Sequence, residues 1–209
     1  KKHDSEFYEF FGKPFDDRFQ HAMYMVTQGL AEEIQGAVLG YMQSDEVSIL
    51  AIDNQKHESE PWFGKNVQKI ASVSAAIATM KFNIHASNVA TSHATFDARC
   101  FVLPEDEVTN YFIYRQQDAT RNSINGYCLS EIGNKHGKKT AMKMLHGKNS
   151  SEQQELLFQE TGLNWNDLPS NWKRGVALVK GDLGWQGVPE LPIFTQDRNF
   201  IESKFKNLV

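Results

Sequence analysis

Two apolar runs joined by a short acidic turn constrain the fold of this chain more than any other feature. Residues 37–42 and 47–52 are apolar, and the polar residues between them include Ser44, Asp45 and Glu46. This pattern predicts a β-hairpin whose turn presents two neighbouring carboxylates. Hard cations such as Mg²⁺ prefer oxygen ligands, and a tight turn on a sheet holds such ligands rigidly. The turn is therefore a candidate metal site, although an ordinary solvated turn would explain the same residues.

The composition is that of a globular protein without an overall nucleic-acid signal. The chain has 209 residues, of which 40% are hydrophobic and 23% charged, which fits one domain with an appended C-terminal lobe. Because the net charge is −4, an RNA partner would have to bind local patches of Lys and Arg. Neither an apolar run of membrane-spanning length nor a signal-peptide pattern is present, so we expect no membrane partner and a cytoplasmic location. Cys100 and Cys128 lie in apolar or helical contexts, which is typical of buried thiols in a reducing compartment.

Helix and strand patterns follow one another in the order helix, hairpin, helix, strand, helix. Beyond the hairpin, we predict helices over residues 15–34, 62–82 and 106–130, a strand over 95–103, a Lys-rich segment with a short helix over 133–147, a helix from Ser150 or Ser151 to Gly162, a strand over 176–180 and an irregular tail from Gly181. This order predicts the α+β class, with an antiparallel palm-like sheet and helices on one face. We expect residues 1–132 to form the palm-like catalytic domain and 133–209 a helical and irregular C-terminal lobe packed on it as one unit.

Several groups of polar residues together indicate phosphate handling, although each one alone is a weak signal, and Lys65 and Lys69 alone are more typical of a solvated helix face. Lys13 precedes a predicted helix start, and Lys65 and Lys69 are four residues apart on one helix face. Further basic and polar residues follow on the third helix, in the Lys-rich segment and in the turn directly after it, namely Arg115, Arg121, Asn122, Lys135, Lys138, Lys139 and Lys148. Neither a G-x-G-x-x-G motif nor a P-loop is present, so the common glycine-rich phosphate cradles are excluded.

Taken in order along the chain, these motifs resemble the tRNA(His) guanylyltransferase superfamily. The matching stretches are Lys13-Pro14-x-Asp16, Gln43 to Ser48, Thr95 to Arg99, Arg115-Gln116-x-Asp118-Ala119, Leu157-Phe158, Asn164-Trp165 and Lys173 to Val176. The resemblance implies a polymerase-type palm that works as a homotetramer. It also implies an enzyme that uses two Mg²⁺ ions, ATP and GTP or another nucleoside triphosphate to add nucleotides to the 5′ end of tRNA in the 3′-to-5′ direction.

The same resemblance assigns roles to individual residues. Asp45 is expected to bind metal and to act in catalysis together with Glu46. The expected contacts to the nucleotide and its triphosphate come from Lys13, Ser44, Lys65, Asn66 and Lys69. Position 66 is one where many members carry an arginine, so Lys65 is expected to compensate. The expected RNA-binding residues follow instead from the local basic and polar patches, and they are Arg115, Arg121, Asn122, Lys135 and Lys148.

Two departures from the family pattern affect the expected function. An Arg-x-Asp-Gly strand, which would supply another metal-binding carboxylate, is missing between Glu9 and Gly12. We hypothesise that the sequence joins two segments there; if the chain is continuous, an inactive remnant is expected.

Residues 120–123 read Thr-Arg-Asn-Ser where the eukaryotic enzymes carry His-Ile-Asn-Asn. This difference resembles the bacterial, archaeal or phage branch of guanylyltransferase-like 3′–5′ polymerases, and it favours templated repair of tRNA 5′ ends over strict guanylate addition to tRNA(His).

Two alternatives stay open beside this interpretation. A nucleotidyl cyclase-like palm would act on free nucleotides, and it would need neither a long polar third helix nor a basic arm at Lys135–Lys148. A tRNA-binding protein that has lost its metal site would bind RNA without turnover, and the missing strand keeps that alternative open.

Overall fold

The computed structural model describes residues 14–52, 60–87, 92–188 and 190–206. The helices are α1 (Asp17–Glu33), α2 (Val67–Ala86), α3 (Glu105–His136), α4 (Lys138–Leu145), α5 (Ser150–Thr161), α6 (Ser170–Arg174) and α7 (Asn199–Glu202). The strands are β1 (Ala37–Gln43), β2 (Glu46–Ala51), β3 (Val176–Gly181) and β4 (Gly184–Val188). Short 3₁₀ turns cover Trp62–Lys65 and Trp165–Asp167. None of the helices in the described ranges combines the length and apolar character needed to cross a membrane.

The strands of the described residues form a four-stranded antiparallel sheet in the order β2-β1-β3-β4. The predicted hairpin is confirmed as β1 and β2, with Tyr41 opposite Ser48 and Gln43 opposite Glu46. On its other side β1 pairs with β3, where Tyr41 lies opposite Ala177. Residues from near the C-terminus therefore complete the sheet that carries the acidic turn.

Alternate residues of β1 enter different apolar clusters, because successive side chains of a strand point to opposite faces. Met42 packs with Val26 of α1 and Phe82 of α2. Tyr41 packs on the other face, with its ring centroid 6.3 Å from that of Phe112 in α3. The α+β class with an antiparallel sheet is confirmed, but helices cover both faces instead of the one predicted. The physical reason is that β1 is apolar at every position from Ala37 to Met42, so both of its faces require cover.

Helix α3 also carries a third apolar cluster, remote from the sheet. Its C-terminal half packs Ile124, Cys128 and Ile132 against α4 and α5. Trp165 closes this cluster and donates from Nε1 to Ser123 Oγ at 3.0 Å. One long helix therefore joins the sheet to a small helical lobe.

One predicted element differs from the structure in a way that hydrogen bonding explains. The strand predicted over 95–103 is wrong: no β-ladder forms there among the described residues. Asn83 side-chain atoms bond both the N–H and the carbonyl of Ala94, and Thr79 Oγ1 accepts from Phe96 N at 3.0 Å. These bonds tie the start of the segment to α2 instead of to a strand.

The other differences concern helix ends and the C-terminal tail. Asn149, not Ser150 or Ser151, caps α5: it accepts from Glu152 N at 3.0 Å, and Glu152 accepts from Asn149 N in return. Helix α3 continues to His136, beyond the predicted end, and stops at Gly137, whose φ is 84°. The tail predicted to be irregular contains strand β4 and helix α7.

Candidate active site

The turn between β1 and β2 adopts a conformation that non-glycine residues rarely take. Ser44 has a φ of 47°, and the turn is closed by the pairing of Gln43 with Glu46. Such left-handed residues are uncommon and concentrate at functional sites. Asp45 and Glu46 are both exposed, so the hairpin presents two adjacent carboxylates to solvent.

Arg115 of α3 binds the second of these carboxylates. A guanidinium NH2 group of Arg115 forms an ion pair with Glu46 Oε2, and Gln43 Nε2 donates to the same oxygen at 2.9 Å. The Arg115 side chain is only 15% exposed, whereas that of Glu46 is 57% exposed. The structure thus brings together a residue expected to be catalytic and a residue expected to bind RNA.

Charged and polar side chains continue this contact along α3. Arg115 NH1 lies 3.9 Å from Asp118 Oδ2. Asp118 also accepts from Arg121 at 3.1 Å and from Asn122 at 3.3 Å. The expected RNA-binding residues Arg115, Arg121 and Asn122 therefore share one acidic partner, and the network begins at the hairpin turn.

Two tyrosines hold the hairpin in place through their hydroxyl groups. The sequence pattern did not identify either of them as part of the site. Tyr111 OH and Ser48 Oγ are 2.8 Å apart and link α3 to β2. The buried Tyr41 donates its hydroxyl proton to the Arg174 carbonyl at 2.6 Å. Burial raises the pKa of Tyr41 well above its usual value, the positive charge of Arg115 opposes the rise, and Asp118 adds to it. Tyr41 is therefore a neutral hydrogen-bond donor, and its place in the continuous apolar run of β1 is the signal that could have identified it as buried.

A second strained segment precedes α2, and three of the predicted phosphate contacts lie at its end or in the first turn of the helix. Phe63, Gly64 and Lys65 have φ values of 49°, 59° and 62°. Asn66 then caps α2 by accepting from Lys69 N at 3.0 Å, and Lys69 Nζ lies 4.5 Å from the centre of the Phe63 ring. Lys65, Asn66 and Lys69 are all exposed, so two ammonium groups and a helix N-terminus are accessible at one place.

The remaining predicted residues lie elsewhere or outside the described part of the chain. Lys135 lies about 30 Å from Arg115 along the α3 axis, at about 1.5 Å per residue. It contacts the Glu160 carbonyl, while His136 Nε2 lies 2.6 Å from Glu160 Oε2. The hydrogen bond from His136, with the charges of His136 and Lys135, lowers the pKa of Glu160 against the opposing effect of desolvation.

Lys148 lies beside the acidic first turns of α5, where it lines a shallow surface cleft with Glu152 and Glu155. Lys13, and the hypothesis of a missing strand between Glu9 and Gly12, lie outside the described residues.

The oxygen atoms at the hairpin turn are of the type that a hard cation prefers as ligands. Mg²⁺ is usually held by one or two carboxylates together with waters and substrate phosphates. Asp45 and Glu46 supply two such carboxylates, and Ser44 adds hydroxyl and carbonyl oxygens. Within the described ranges, however, no group of three or more His, Cys, Asp or Glu side chains is placed to hold a metal. These residues therefore fit one ion and do not by themselves form a site for two.

Family models and solved structures match this chain over nearly its whole length. The family model described as "tRNAHis guanylyltransferase" matches residues 3–104, and the model described as "Thg1 C terminal domain" matches residues 106–204. A bacterial tRNA(His) guanylyltransferase-like protein in complex with ATP superimposes with a TM-score of 0.87 and 41% identity, covering 96% of this chain and 85% of that one. A bacterial guanylyltransferase-like protein in complex with GTP gives a TM-score of 0.77 and 36% identity, covering 96% and 84%.

Two more distant relatives are eukaryotic and longer. The probable tRNA(His) guanylyltransferase of Dictyostelium discoideum is 28% identical over 187 residues, which are 86% of this chain and 69% of that protein. The corresponding mouse protein is 25% identical over 189 residues, 87% of this chain and 60% of its own length. The chain thus spans about three fifths to two thirds of the length of these curated relatives.

Proposed function

Because this chain belongs to the tRNA(His) guanylyltransferase family, we propose that it is a nucleotidyltransferase that adds nucleotides to the 5′ end of tRNA in the 3′-to-5′ direction. One observation carries the proposal: the family's acidic hairpin turn is present, strained and exposed, with Asp45 and Glu46 at its tip. The similar bacterial structures in complex with ATP and GTP support nucleoside triphosphates as substrates.

The reaction would consist of two phosphoryl-group transfers. A 5′-monophosphate on the RNA attacks ATP, so that AMP is joined to the RNA end and pyrophosphate leaves. The 3′-hydroxyl of an incoming nucleoside triphosphate then attacks the activated 5′-phosphate, a phosphodiester bond forms, and AMP leaves. Catalysis of this kind depends mainly on positioning and on neutralising charge.

The chain offers groups for both tasks. Asp45 and Glu46 would hold Mg²⁺, which supplies positive charge opposite the reacting phosphates when it is bound. Lys65 and Lys69, with Lys13, would bind triphosphate oxygens, and the α2 N-terminus adds the partial positive charge of a helix dipole. Two Mg²⁺ ions would require a carboxylate from outside the described residues.

We further propose that this activity repairs truncated tRNA 5′ ends by copying the opposite strand. The support is the Thr120–Ser123 run, which differs from the eukaryotic pattern, together with the higher identity to the bacterial guanylyltransferase-like structures. Arg121 and Asn122 are exposed on α3 beside the hairpin network, where they would contact the RNA. Lys135 and Lys148 would contact it farther away, on the helical lobe. A homotetramer acting in the cytoplasm completes the proposal.

A direct assay tests the proposal. A tRNA lacking its first 5′ nucleotide is incubated with the protein, Mg²⁺, ATP and each nucleoside triphosphate singly, and its 5′ end is followed on a sequencing gel. We expect extension only by the nucleotide complementary to the acceptor strand, and no extension by the Asp45→Asn variant. Extension only by GTP on tRNA(His) would establish the strict guanylyltransferase instead. Bound but unextended RNA would refute the enzyme and establish a non-catalytic binding protein.

A further inference from the structure

Arg115 lies between two acidic side chains, one on the hairpin and one on its own helix. Its NH2 group pairs with Glu46 Oε2, and its NH1 group is 3.9 Å from Asp118 Oδ2. The side chain is 15% exposed, and its guanidinium is 6.0 Å from the centre of the Tyr114 ring. The guanidinium group of arginine is positively charged in proteins, so Arg115 places a positive charge against the candidate metal ligand.

We propose that Arg115 is a resident counter-ion of the hairpin turn that competes with a divalent cation for Glu46. Before a cation binds, Arg115 neutralises Glu46 and keeps two adjacent exposed carboxylates from repelling each other. When a cation takes Glu46, the guanidinium moves to Asp118. Arg115 is thus a positioning residue for the acidic turn, and this inference rests on the cation site of the proposed function.

The geometry favours such an exchange. Gln43 and Arg115 both bind Oε2 of Glu46, so that oxygen already has two donors, and a cation that uses it must displace at least one of them. Asp118 offers Arg115 an alternative partner at 3.9 Å, so the displaced charge need not cross an apolar region. Arg115 lies within α3, with helical residues on both sides, so the exchange moves its side chain and leaves the backbone in place.

The exchange would also reach the surface expected to meet RNA. Asp118 is the acceptor for Arg121 and Asn122. A guanidinium that moves fully onto Asp118 competes with these two donors and frees them to bind phosphate. Occupancy of the acidic turn and RNA binding at Arg121 are therefore coupled, and by linkage RNA should tighten the binding of the cation as well.

A titration with Mn²⁺ tests the inference without relying on turnover. Free Mn²⁺ is followed by electron paramagnetic resonance as the full chain is added, for the wild type and for Arg115→Met, which removes the charge at similar size. We expect Arg115→Met to bind Mn²⁺ about tenfold more tightly, equivalent to about 1.4 kcal/mol. The figure is far below the full Coulomb attraction because Glu46 is more than half exposed to solvent.

Two further variants control for net charge and for folding. Lys143→Met also removes one positive charge, but Lys143 is exposed on α4, which packs beside Ile124, Cys128 and Ile132 of α3, about 14–26 Å from Arg115 along the helix axis. Because this separation exceeds the Debye length, the Mn²⁺ affinity of Lys143→Met should stay within about twofold of wild type. Asp118→Asn removes the alternative partner of Arg115, so it should weaken Mn²⁺ binding. Far-UV circular dichroism establishes whether each variant is folded. If Arg115→Met does not fold, the Mn²⁺ affinity of Asp118→Asn tests the inference in its place.

The Mn²⁺ affinities of these variants decide whether the inference holds. Equal Mn²⁺ affinity of the wild type and Arg115→Met would overturn the counter-ion role, as would weaker binding by a folded Arg115→Met protein. Stronger binding by Asp118→Asn would overturn the exchange. If Asp45→Asn binds Mn²⁺ as tightly as the wild type, the cation does not bind at the turn, and it is the proposed function that fails at that point.

Discussion

Gln116 holds the C-terminal segment onto α3, and we expect its replacement to destabilise the whole protein. The side chain is 4% exposed, donates from Nε2 to the Pro192 carbonyl at 2.9 Å and accepts from Phe194 N at 2.8 Å. Methionine has a similar size but offers neither bond, so Gln116→Met leaves a donor and an acceptor without partners. A buried unsatisfied group costs about 1–3 kcal/mol, so we expect the two groups together to cost about 2–6 kcal/mol.

Urea unfolding followed by far-UV circular dichroism measures this loss through the shift in midpoint. Gln117→Met is the matched control, because Gln117 is the next residue of the same helix and is exposed. Its free energy of unfolding should stay within about 0.5 kcal/mol of wild type. If Gln116→Met destabilises the protein no more than Gln117→Met does, the two hydrogen bonds do not secure the C-terminal segment, and the reasoning is refuted.

Three other predictions concern charged groups. Asp45→Asn should abolish nucleotide addition while the free energy of unfolding changes by no more than about 0.5 kcal/mol, because the residue lies in an exposed turn; a fully active variant would contradict the metal role. Since His136 lowers the pKa of Glu160 below its ordinary 4.5, the stability gained from that pair is complete above pH 4.5 and is lost as the pH falls through the lowered pKa. The stability difference between wild type and Glu160→Gln, measured by urea unfolding, should therefore shrink from pH 6 to pH 3, and a constant difference would contradict the pairing. Replacing Arg121 or Lys148 by Gln should reduce the salt dependence of tRNA binding by about one unit of slope each, measured by filter binding at several salt concentrations; an unchanged slope would remove that residue from the RNA contacts.

The sequence predicted well those features that depend on neighbouring residues. The hairpin follows from two apolar runs and a polar turn, and helix α1 follows from its apolar spacing with Asp16, which accepts from Arg18 N at 2.9 Å, at its start. The order of the motifs along the chain also indicated the family. These features depend on periodicity and local hydrogen bonding, which short stretches of sequence encode directly.

The predictions that failed depended on distant partners. Residues 95–103 alternate like a strand, but a strand forms only where another backbone completes its ladder, and at Ala94 and Phe96 the α2 side chains supply the bonds instead. Strand β4 is rich in glycine and was missed because its pairing with β3, not its own sequence pattern, defines it.

The tertiary structure also decided what the motif around Arg115 does. From the sequence, Arg115, Gln116 and Asp118 form one polar stretch of a helix. In the fold, Gln116 turns inward to fix residues 192–194, whereas Arg115 and Asp118 lie beside the acidic turn. A helix places successive residues about 100° apart, so neighbours in sequence meet different surroundings. The sequence by itself determined the chemical groups and the local elements that carry them. Only packing, which joins residues far apart along the chain, determined that Glu46 meets Arg115 and that Asp45 stands beside that pair.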